Sequence, residues 1–234
     1  MEIAGLQKMT LLDYPGKVAC TVFLGGCNFR CPFCHNSQLI GHADALMDDA
    51  ELLAFLQKRK GLLDGVCVTG GEPTLQKELP RLLENIKAMG FAVKLDTNGY
   101  RPEILKALVE QGLVDYVAMD VKNDPEGYPR TTGLPALEIE KIEQSLRFLL
   151  EGRVDYELRT TLVVPLHDEA HILGIRQWLE RIGDGRKARR YFLQSFVDRD
   201  TVLFSDLKAP ETTDLQRYRE LLTGCAEMVE IRGT

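Results

Sequence analysis

The sequence lacks any long apolar run and any excess of positive charge. No stretch approaches the roughly 20 consecutive apolar residues that a helix needs to cross a bilayer, and residues 1–10 lack the charged and then apolar segments of a signal peptide. Lysine and arginine total 29 against 35 acidic residues, which gives a formal net charge of −6. Such a chain is poorly suited to bind nucleic acid or an anionic membrane surface. We therefore expect a cytoplasmic protein without partners of either kind.

Cysteine is scarce and unevenly distributed. Only six cysteines occur among 234 residues, which is not the pattern of a disulfide framework in a cytoplasmic chain. Half of them fall within eight positions, at Cys27, Cys31 and Cys34. The other half are scattered, at Cys20, Cys67 and Cys225, and we expect them to be ordinary buried thiols.

The crowded cysteines have the spacing C-x3-C-x2-C, which is typical of a loop that wraps one small thiophilic centre. Three ligands are one short of the usual four for a cubane cluster, so one iron would stay open to a substrate. A structural zinc site is the alternative, with His35 as fourth ligand. His35 is adjacent to Cys34 and no second C-x2-C pair exists, so the spacing favours iron and sulfur over zinc.

Short apolar runs alternate with longer amphipathic ones along the chain. Strands are predicted at residues 18–24, 65–69, 92–96, 115–119, 154–164 and 191–196. Helices are predicted at residues 48–60, 75–89, 102–112, 137–151 and 168–182, and a C-terminal tail adds a helix near 213–223 and a strand at 228–231. This alternation predicts βα units with a parallel sheet, although a barrel and a doubly wound sheet share the pattern.

Two polar turns follow predicted strands, where α/β barrels build their active sites. Gly70-Gly71-Glu72-Pro73 is explained equally well as a tight turn before a helix, but glycines allow close backbone approach and Glu72 suits an ammonium group. Asp96-Thr97-Asn98-Gly99 contains the common turn pair Asn-Gly. Both turns are therefore candidate ligand contacts with an ordinary structural alternative.

Charged residues mark two further strands. Asp120 and Lys122 are two positions apart and so share one side of an extended segment, although a surface ion pair is the ordinary alternative. Arg159 lies inside an apolar strand, where it needs a partner or a polar cavity. His167 and His171 have a chelating i, i+4 spacing, but the segment does not match the zinc-protease pattern and metal binding there is not favoured.

Taken together, the motifs resemble those of the radical SAM superfamily. The cysteine spacing and the Gly-Gly-Glu turn carry that resemblance, which extends over about residues 5–196. The segments LLDYPGK (residues 11–17) and GGCNFRCPFCHN (residues 25–36) resemble the glycyl-radical-enzyme activating proteins, and among them the anaerobic ribonucleoside-triphosphate reductase activating group. The resemblance implies an α/β fold with a partial (β/α)6 TIM-like barrel of the radical SAM type. It also implies a single domain over residues 1–234, with a core at about 15–200 and a tail at 201–234.

The resemblance further implies an oxidoreductase that works without oxygen. A [4Fe-4S] cluster on the three crowded cysteines would bind S-adenosylmethionine (SAM) through its open iron and cleave it reductively, and the resulting 5′-deoxyadenosyl radical would abstract a glycine α-hydrogen from a partner enzyme. The resemblance implies that Lys122 binds the SAM carboxylate and that it is catalytic, together with the three cysteines. The other implied SAM contacts are Phe33, Gly70, Gly71, Glu72, Asp96, Asn98, Asp120 and Arg159. Asp96 and Asp120 are also candidate ligands for a monovalent cation.

The implied partners are a glycyl-radical enzyme, in first place anaerobic ribonucleotide reductase, and flavodoxin or ferredoxin as electron donor. The short stretch between Cys34 and Gly70 and the single cysteine of the tail, Cys225, predict one cluster only. Two other functions stay open, a radical SAM enzyme that acts on a small molecule, like the deazaguanine-forming synthases, and a zinc-stabilised binding module. The LLDYPGK segment favours the activating enzyme.

Overall fold

The structure is a computed structural model that describes residues 1–41 and 44–233. His42 and Ala43 of the predicted cysteine-rich loop and Thr234 of the predicted tail lie outside the described residues. The chain divides into two compact units. The first unit comprises Met1–Asn28, Gln38–Thr97 and Glu103–Ala118, and the second comprises Phe29–Ser37, Asn98–Pro102 and Met119–Thr234.

The first unit is built on parallel strands. In chain order its elements are β1 (Glu2–Ile3), β2 (Gly5–Thr10), β3 (Ala19–Leu24), β4 (Met47–Asp48), α1 (Asp49–Gln57), β5 (Gly65–Gly70), α2 (Leu79–Ala88), β6 (Ala92–Thr97), α3 (Pro102–Glu110) and the first residues of β7 (Tyr116–Asp120). The strand order in this unit is β7-β6-β5-β3-β2. β3, β5 and β6 run parallel, with Cys20 opposite Val66 and Val66 opposite Val93, whereas β2 is antiparallel to β3.

The second unit continues the same alternation. Its elements are the last residues of β7, α4 (Tyr128–Thr132), α5 (Ile139–Leu150), β8 (Asp155–Leu162), α6 (Glu169–Gly183), β9 (Ala188–Ser195), α7 (Thr212–Leu222) and β10 (Ala226–Arg232). The strand order is β10-β9-β8-β7. β8 and β10 both run parallel to β9, and Leu158 and Val229 both lie opposite Tyr191.

Helix starts follow local capping chemistry. Asp48 caps α1 in a capping box with Glu51. α2 begins four residues later than predicted because Pro73–Leu75 forms a separate 3-10 turn and Pro80 lies in the first turn of α2. Within residues 1–41 and 44–233, no helix combines the length and apolar character that crossing a bilayer requires.

The predicted α/β class with parallel strands is confirmed. The predicted β- and α-elements all occur, with ends shifted by a few residues. Three short strands, β1, β2 and β4, and the short helix α4 were not predicted. The prediction of one domain over residues 1–234 stays a prediction.

Candidate functional site

The turn that follows β5 lies directly against the chain that leads into the cysteine loop. The Glu72 N–H donates to the Gly26 carbonyl at 2.8 Å. A Cβ on Gly70, which has φ +128°, would lie 2.2 Å from a backbone oxygen of β3. A Cβ on Gly71 would lie 2.1 Å from the Gly26 oxygen and 3.2 Å from the Cys27 Cβ. Only glycine permits this approach, so the Gly-Gly pair fixes the backbone beside Cys27.

The start of the cysteine loop is held by further hydrogen bonds within the first unit. The Gly26 N–H donates to the Leu39 carbonyl at 2.7 Å, and the Cys27 N–H donates to the Ile40 carbonyl at 3.2 Å. The Gln76 amide donates to the Gly25 carbonyl at 2.7 Å. The backbone from Gly25 to Cys27 is therefore held in place by Leu39 and Ile40 and by Gln76.

Glu72 is a fully buried carboxylate with several donors. Its Oε1 accepts from the Thr74 N–H at 3.1 Å, from the Thr74 hydroxyl at 2.5 Å and from the Thr97 hydroxyl at 2.8 Å. A buried carboxylate needs such donors in place of the water that it has lost. Glu72 is thus held in one orientation as an acceptor, which suits the ammonium contact predicted for it. Thr97 was not among the predicted site residues.

The Asp96 carboxylate is paired with a lysine side chain of the same strand. It forms an ion pair with Lys94, a buried residue of the same strand, and its Oδ1 lies 3.7 Å from the Cys67 sulfur. The Lys94 Nζ lies 3.8 Å from that sulfur. Cys67 is a buried thiol inside β5, as predicted. The i, i+2 spacing of Lys94 and Asp96 was the signal for this pair, and a direct SAM contact of Asp96 stays a prediction.

Asp120, Lys122 and Arg159 form one charge cluster in the second unit. The Lys122 Nζ lies 2.9 Å from Asp120 Oδ2, and the Arg159 Nε lies 3.0 Å from Asp120 Oδ1. Burial would raise the pKa of Asp120, but the Arg159 and Lys122 charges lower it to about 2. The Lys122 side chain is only 17% exposed, so this is not the surface ion pair of the ordinary alternative. Arg159 has the partner that its place in an apolar strand requires.

The same lysine is close to two of the cysteines. Burial alone would lower the pKa of Lys122, but the Asp120 carboxylate and the Cys31 and Cys34 sulfurs raise it above its ordinary range. Its Nζ lies 6.0 Å from the centre of the Phe33 ring. The second unit therefore brings six of the predicted site residues into one neighbourhood, with a protonated lysine among them.

His167 anchors the backbone of Lys122. Its Nε2 donates to the Lys122 carbonyl at 2.8 Å, its Nδ1 accepts from the Val163 N–H at 3.1 Å, and its ring lies edge-on to Phe33 at 6.4 Å. Burial lowers the pKa of His167 to about 4, so the ring is neutral near pH 7. The Tyr128 hydroxyl accepts from the Lys122 N–H at 3.1 Å. Neither His167 nor Tyr128 was predicted to belong to the site.

His35 and His171 have partners within the chain. The His35 Nε2 donates to the Val197 carbonyl at 2.7 Å, and its ring stacks on Phe196. Ser37 donates to the Thr201 carbonyl of the same loop. The His171 Nδ1 lies 2.6 Å from the Asp168 carboxylate. The His35 Nε2 therefore points to a carbonyl. A zinc ion bound through this nitrogen would have to displace the Val197 contact.

Asn98 lies at the turn that ends β6. Its Oδ1 accepts from the Tyr100 N–H at 3.0 Å, the contact of an ordinary Asx turn. Gly99 has φ +74°, a conformation that favours glycine, and a Cβ there would also meet the end of the Met119 side chain at 2.1 Å. A SAM contact of Asn98 stays a prediction beside this structural role.

The cysteine residues fit an iron–sulfur cluster in their chemistry. In the described part of the chain all six cysteines are thiols rather than disulfides, and burial raises the pKa of Cys20 and Cys225 to about 12. Across the described ranges, no three His, Cys, Asp or Glu side chains form a group that could hold a metal ion. In a cubane each thiolate binds its own iron, so the ligand sulfurs need not converge on one ion.

Comparison with known proteins identifies the family. The model of the radical SAM superfamily matches residues 21–179. This chain belongs to the radical SAM superfamily. A Methanocaldococcus jannaschii protein, named as a candidate glycyl-radical enzyme activating enzyme, is 30% identical over an alignment 242 residues long. The alignment covers 98% of this chain and 95% of that protein. The chain therefore also belongs to the activating-enzyme family, as its motifs predicted.

Two further relatives bear on the fold and on the substrate. A solved domain of pyruvate-formate lyase-activating enzyme from Bacteroides vulgatus superposes with a TM-score of 0.57 at 22% identity, covering 72% of this chain and 99% of that one. The 7-carboxy-7-deazaguanine synthase of Koribacter versatilis is 33% identical over 148 residues, which span 62% of each protein. The radical SAM fold, the enzyme class and the cofactors, a [4Fe-4S] cluster and SAM, are confirmed.

Proposed function

We propose that this radical SAM enzyme generates a glycyl radical on a partner enzyme, and that the partner is anaerobic ribonucleoside-triphosphate reductase. The observation that carries the proposal is the similarity to the M. jannaschii protein along nearly the whole of both chains. The LLDYPGK segment favours an activating enzyme over an enzyme that acts on a small molecule. Flavodoxin or ferredoxin as electron donor and a cytoplasmic location belong to the same proposal.

Cys27, Cys31 and Cys34 are the residues that would hold the cluster. When bound and reduced, the cluster supplies the electron that breaks the bond between the SAM sulfur and C5′, which yields methionine and a 5′-deoxyadenosyl radical. The Gly-Gly turn holds Cys27 in place through its contact with Gly26. Cys31 and Cys34 interact electrostatically with Lys122 and help to keep its ammonium protonated.

The chain's charged residues would bind and orient SAM. Glu72 offers buried carboxylate oxygens as acceptors for the methionine ammonium, and Lys122 is a protonated donor for the methionine carboxylate. Asp120 orients Lys122, and Arg159 orients Asp120, through the contacts of 2.9 and 3.0 Å. Phe33, Asp96 and Asn98 would complete the contacts with the rest of SAM. Orientation of this kind is the protein's main contribution when a cofactor carries the chemistry.

Anaerobic electron paramagnetic resonance (EPR) tests the proposal. The reconstituted, reduced protein is mixed with SAM and an anaerobic ribonucleotide reductase from the same genome, and a glycyl-radical doublet together with 5′-deoxyadenosine is the expected result. Cys31→Ala should abolish SAM cleavage. Cys225→Ala is the matched control, because Cys225 is a buried thiol whose sulfur lies 3.2 Å from the Leu222 carbonyl, and it should cleave SAM as the unmodified protein does.

Each other outcome rejects a defined part of the proposal. SAM cleavage without the doublet would reject this partner but keep the radical chemistry. SAM cleavage by Cys31→Ala at the unmodified rate would overturn the cluster assignment. Colourless anaerobic protein that contains zinc would establish the binding module instead.

A small-molecule substrate is the second candidate function. The observation that favours it is the 33% identity to the K. versatilis 7-carboxy-7-deazaguanine synthase. Anaerobic incubation with the substrate of that relative separates the two functions. Detection of 7-carboxy-7-deazaguanine by mass spectrometry, without a glycyl radical on the reductase, would support the second candidate.

A further inference from the structure

A second buried carboxylate lies next to the Asp120 cluster. Glu157 of β8 is only 1% exposed, and the Nη atoms of Arg232 in β10 lie 2.9 and 3.1 Å from its two oxygens. The Arg159 Nη1 lies 4.0 Å from Glu157 Oε1, while the Nε of the same guanidinium lies 3.0 Å from Asp120. Charges of opposite sign therefore alternate from Arg232 through Glu157, Arg159 and Asp120 to Lys122.

Strand geometry keeps Arg232 in this position. Glu157 and Arg159 are two residues apart in β8 and share one face of the strand. β9 lies between β8 and β10, with Phe192 opposite Arg159 and Gln194 opposite Arg232. The Arg232 guanidinium lies 3.2 Å from the centre of the Phe192 ring, in a cation–π contact. The arginine is thus held over an aromatic ring while it spans the middle strand to reach Glu157.

Arg159 lies between two carboxylates that compete for it. Asp120 is the nearer at 3.0 Å, and Glu157 is 4.0 Å away. A buried carboxylate without a neutralising partner attracts the nearest cation strongly, because little water screens its charge. Arg232 occupies both Glu157 oxygens and so reduces the pull on Arg159. If Arg159 moved to Glu157, Lys122 would be the remaining cation on Asp120. The Asp120 carboxylate would then hold the Lys122 ammonium more strongly, and Lys122 would bind a ligand carboxylate less well.

We propose that Arg232 is a positioning residue for SAM binding, which acts by neutralising Glu157 so that Arg159 stays on Asp120 and Lys122 stays available to the SAM carboxylate. This inference rests on the proposed function, because it takes Lys122 as the SAM carboxylate contact. It gives the C-terminal strand, which the motifs left without a role, a part in cofactor binding.

The full-length, cluster-loaded protein is the material for the test. Arg232→Met should raise the KM for SAM about tenfold while kcat changes by less than about twofold, because ground-state binding is what is lost. The SAM concentration that half-completes the change in the EPR signal of the reduced cluster should rise by the same factor, which measures binding without turnover. Arg232→Lys keeps the charge and should stay within about threefold of the unmodified protein.

The double variant Glu157→Gln/Arg232→Met provides the decisive comparison. A neutral glutamine no longer attracts Arg159, so the double variant should bind SAM nearly as well as the unmodified protein. Arg189→Met is the matched control, since Arg189 of β9 forms an ion pair of 2.9 Å with Asp155 of β8, and both side chains are exposed, at 45% and 51%. Its KM for SAM should not change.

The outcomes separate the inference from the proposed function. An Arg232→Met KM within about twofold of the unmodified value, or a double variant as weak as the single one, overturns the inference. Where Arg232→Met does not fold, Arg232→Gln and its double variant with Glu157→Gln give the same comparison. Failure of the unmodified protein to bind and cleave SAM would reject the proposed function instead.

Discussion

Replacing Gly71 by alanine would force apart two backbone segments that meet beside the first cluster cysteine. The added Cβ would lie 2.1 Å from the Gly26 oxygen and 2.7 Å from the Gly26 carbonyl carbon, whereas real Cβ contacts essentially never fall below 3.0 Å. The segments would have to separate by roughly 0.9 Å to relieve the contact. Neither contact atom belongs to a flexible side chain, so the backbone itself must move.

The cost of this movement follows from two contacts. Overpacking of a tight site costs about 1–3 kcal/mol. The Gly26 oxygen also accepts the Glu72 N–H at 2.8 Å, and loss of that hydrogen bond adds about 1 kcal/mol. We therefore expect the free energy of unfolding of the apoprotein to fall by about 2–4 kcal/mol. Displacement of Cys27 by this amount should lower SAM cleavage by up to about 100-fold.

Three measurements check the prediction. Urea unfolding of the apoprotein gives the loss of stability, anaerobic iron and sulfide analysis gives the cluster content, and 5′-deoxyadenosine formation gives the rate. Gly41→Ala is the matched control, because Gly41 follows the same loop and a Cβ there would meet nothing within 4 Å. A Gly71→Ala protein with unmodified stability and a full cluster would refute the close approach of the two segments.

Three further predictions concern buried polar groups. The pKa of Asp120 is depressed to about 2, so its contribution to stability is present above about pH 4 and is lost as the pH falls through about 2. The difference in free energy of unfolding in urea between the unmodified protein and Asp120→Asn should therefore vanish over that pH range. The pKa of His167 is lowered to about 4, so the unfolded chain binds more protons between about pH 6.5 and 4 and stability falls as the pH drops across that range. His167→Gln should remove this part of the pH dependence in urea titrations, and an unchanged slope would contradict the buried neutral ring. Thr97→Val removes one donor to the buried Glu72, so it should lower the free energy of unfolding by about 1–2 kcal/mol and raise the KM for SAM, as urea unfolding and steady-state kinetics would show.

The regular part of the fold was predictable because buried parallel strands leave nearly continuous apolar runs. β5 (Gly65–Gly70) is buried along almost its whole length, and its predicted bounds were nearly correct. β2 (Gly5–Thr10) escaped prediction because it is antiparallel at the edge of the strand order and mostly exposed, so it has no such run. α4 escaped because it is a five-residue helix among prolines and glycines, where turn signals dominate.

The proximity of the candidate site residues was predictable where the signal is local in sequence, and their roles stay predictions. The cysteine spacing, the Gly-Gly-Glu turn and the Asp-x-Lys pair each fall within a few residues, and a family resemblance could assign them. His167 and Arg232 were missed because their partners are distant, 45 residues away for Lys122 and 75 for Glu157. No local pattern distinguishes an arginine that pairs with a buried carboxylate from one on the surface. Only the register of the strands brings such groups together.

The hydrogen bonds from His35 and Ser37 to the loop after β9 have a consequence for dynamics. Both residues lie within three positions after Cys34, and both donate hydrogen bonds to carbonyls of that loop, at Val197 and Thr201. The loop has no regular secondary structure, and its Leu203 and Phe204 side chains are 67% and 59% exposed. Ordering of the cysteine segment by a cluster should therefore slow amide hydrogen exchange in residues 197–204, which makes this loop a reporter of cluster loading at a distance from the iron.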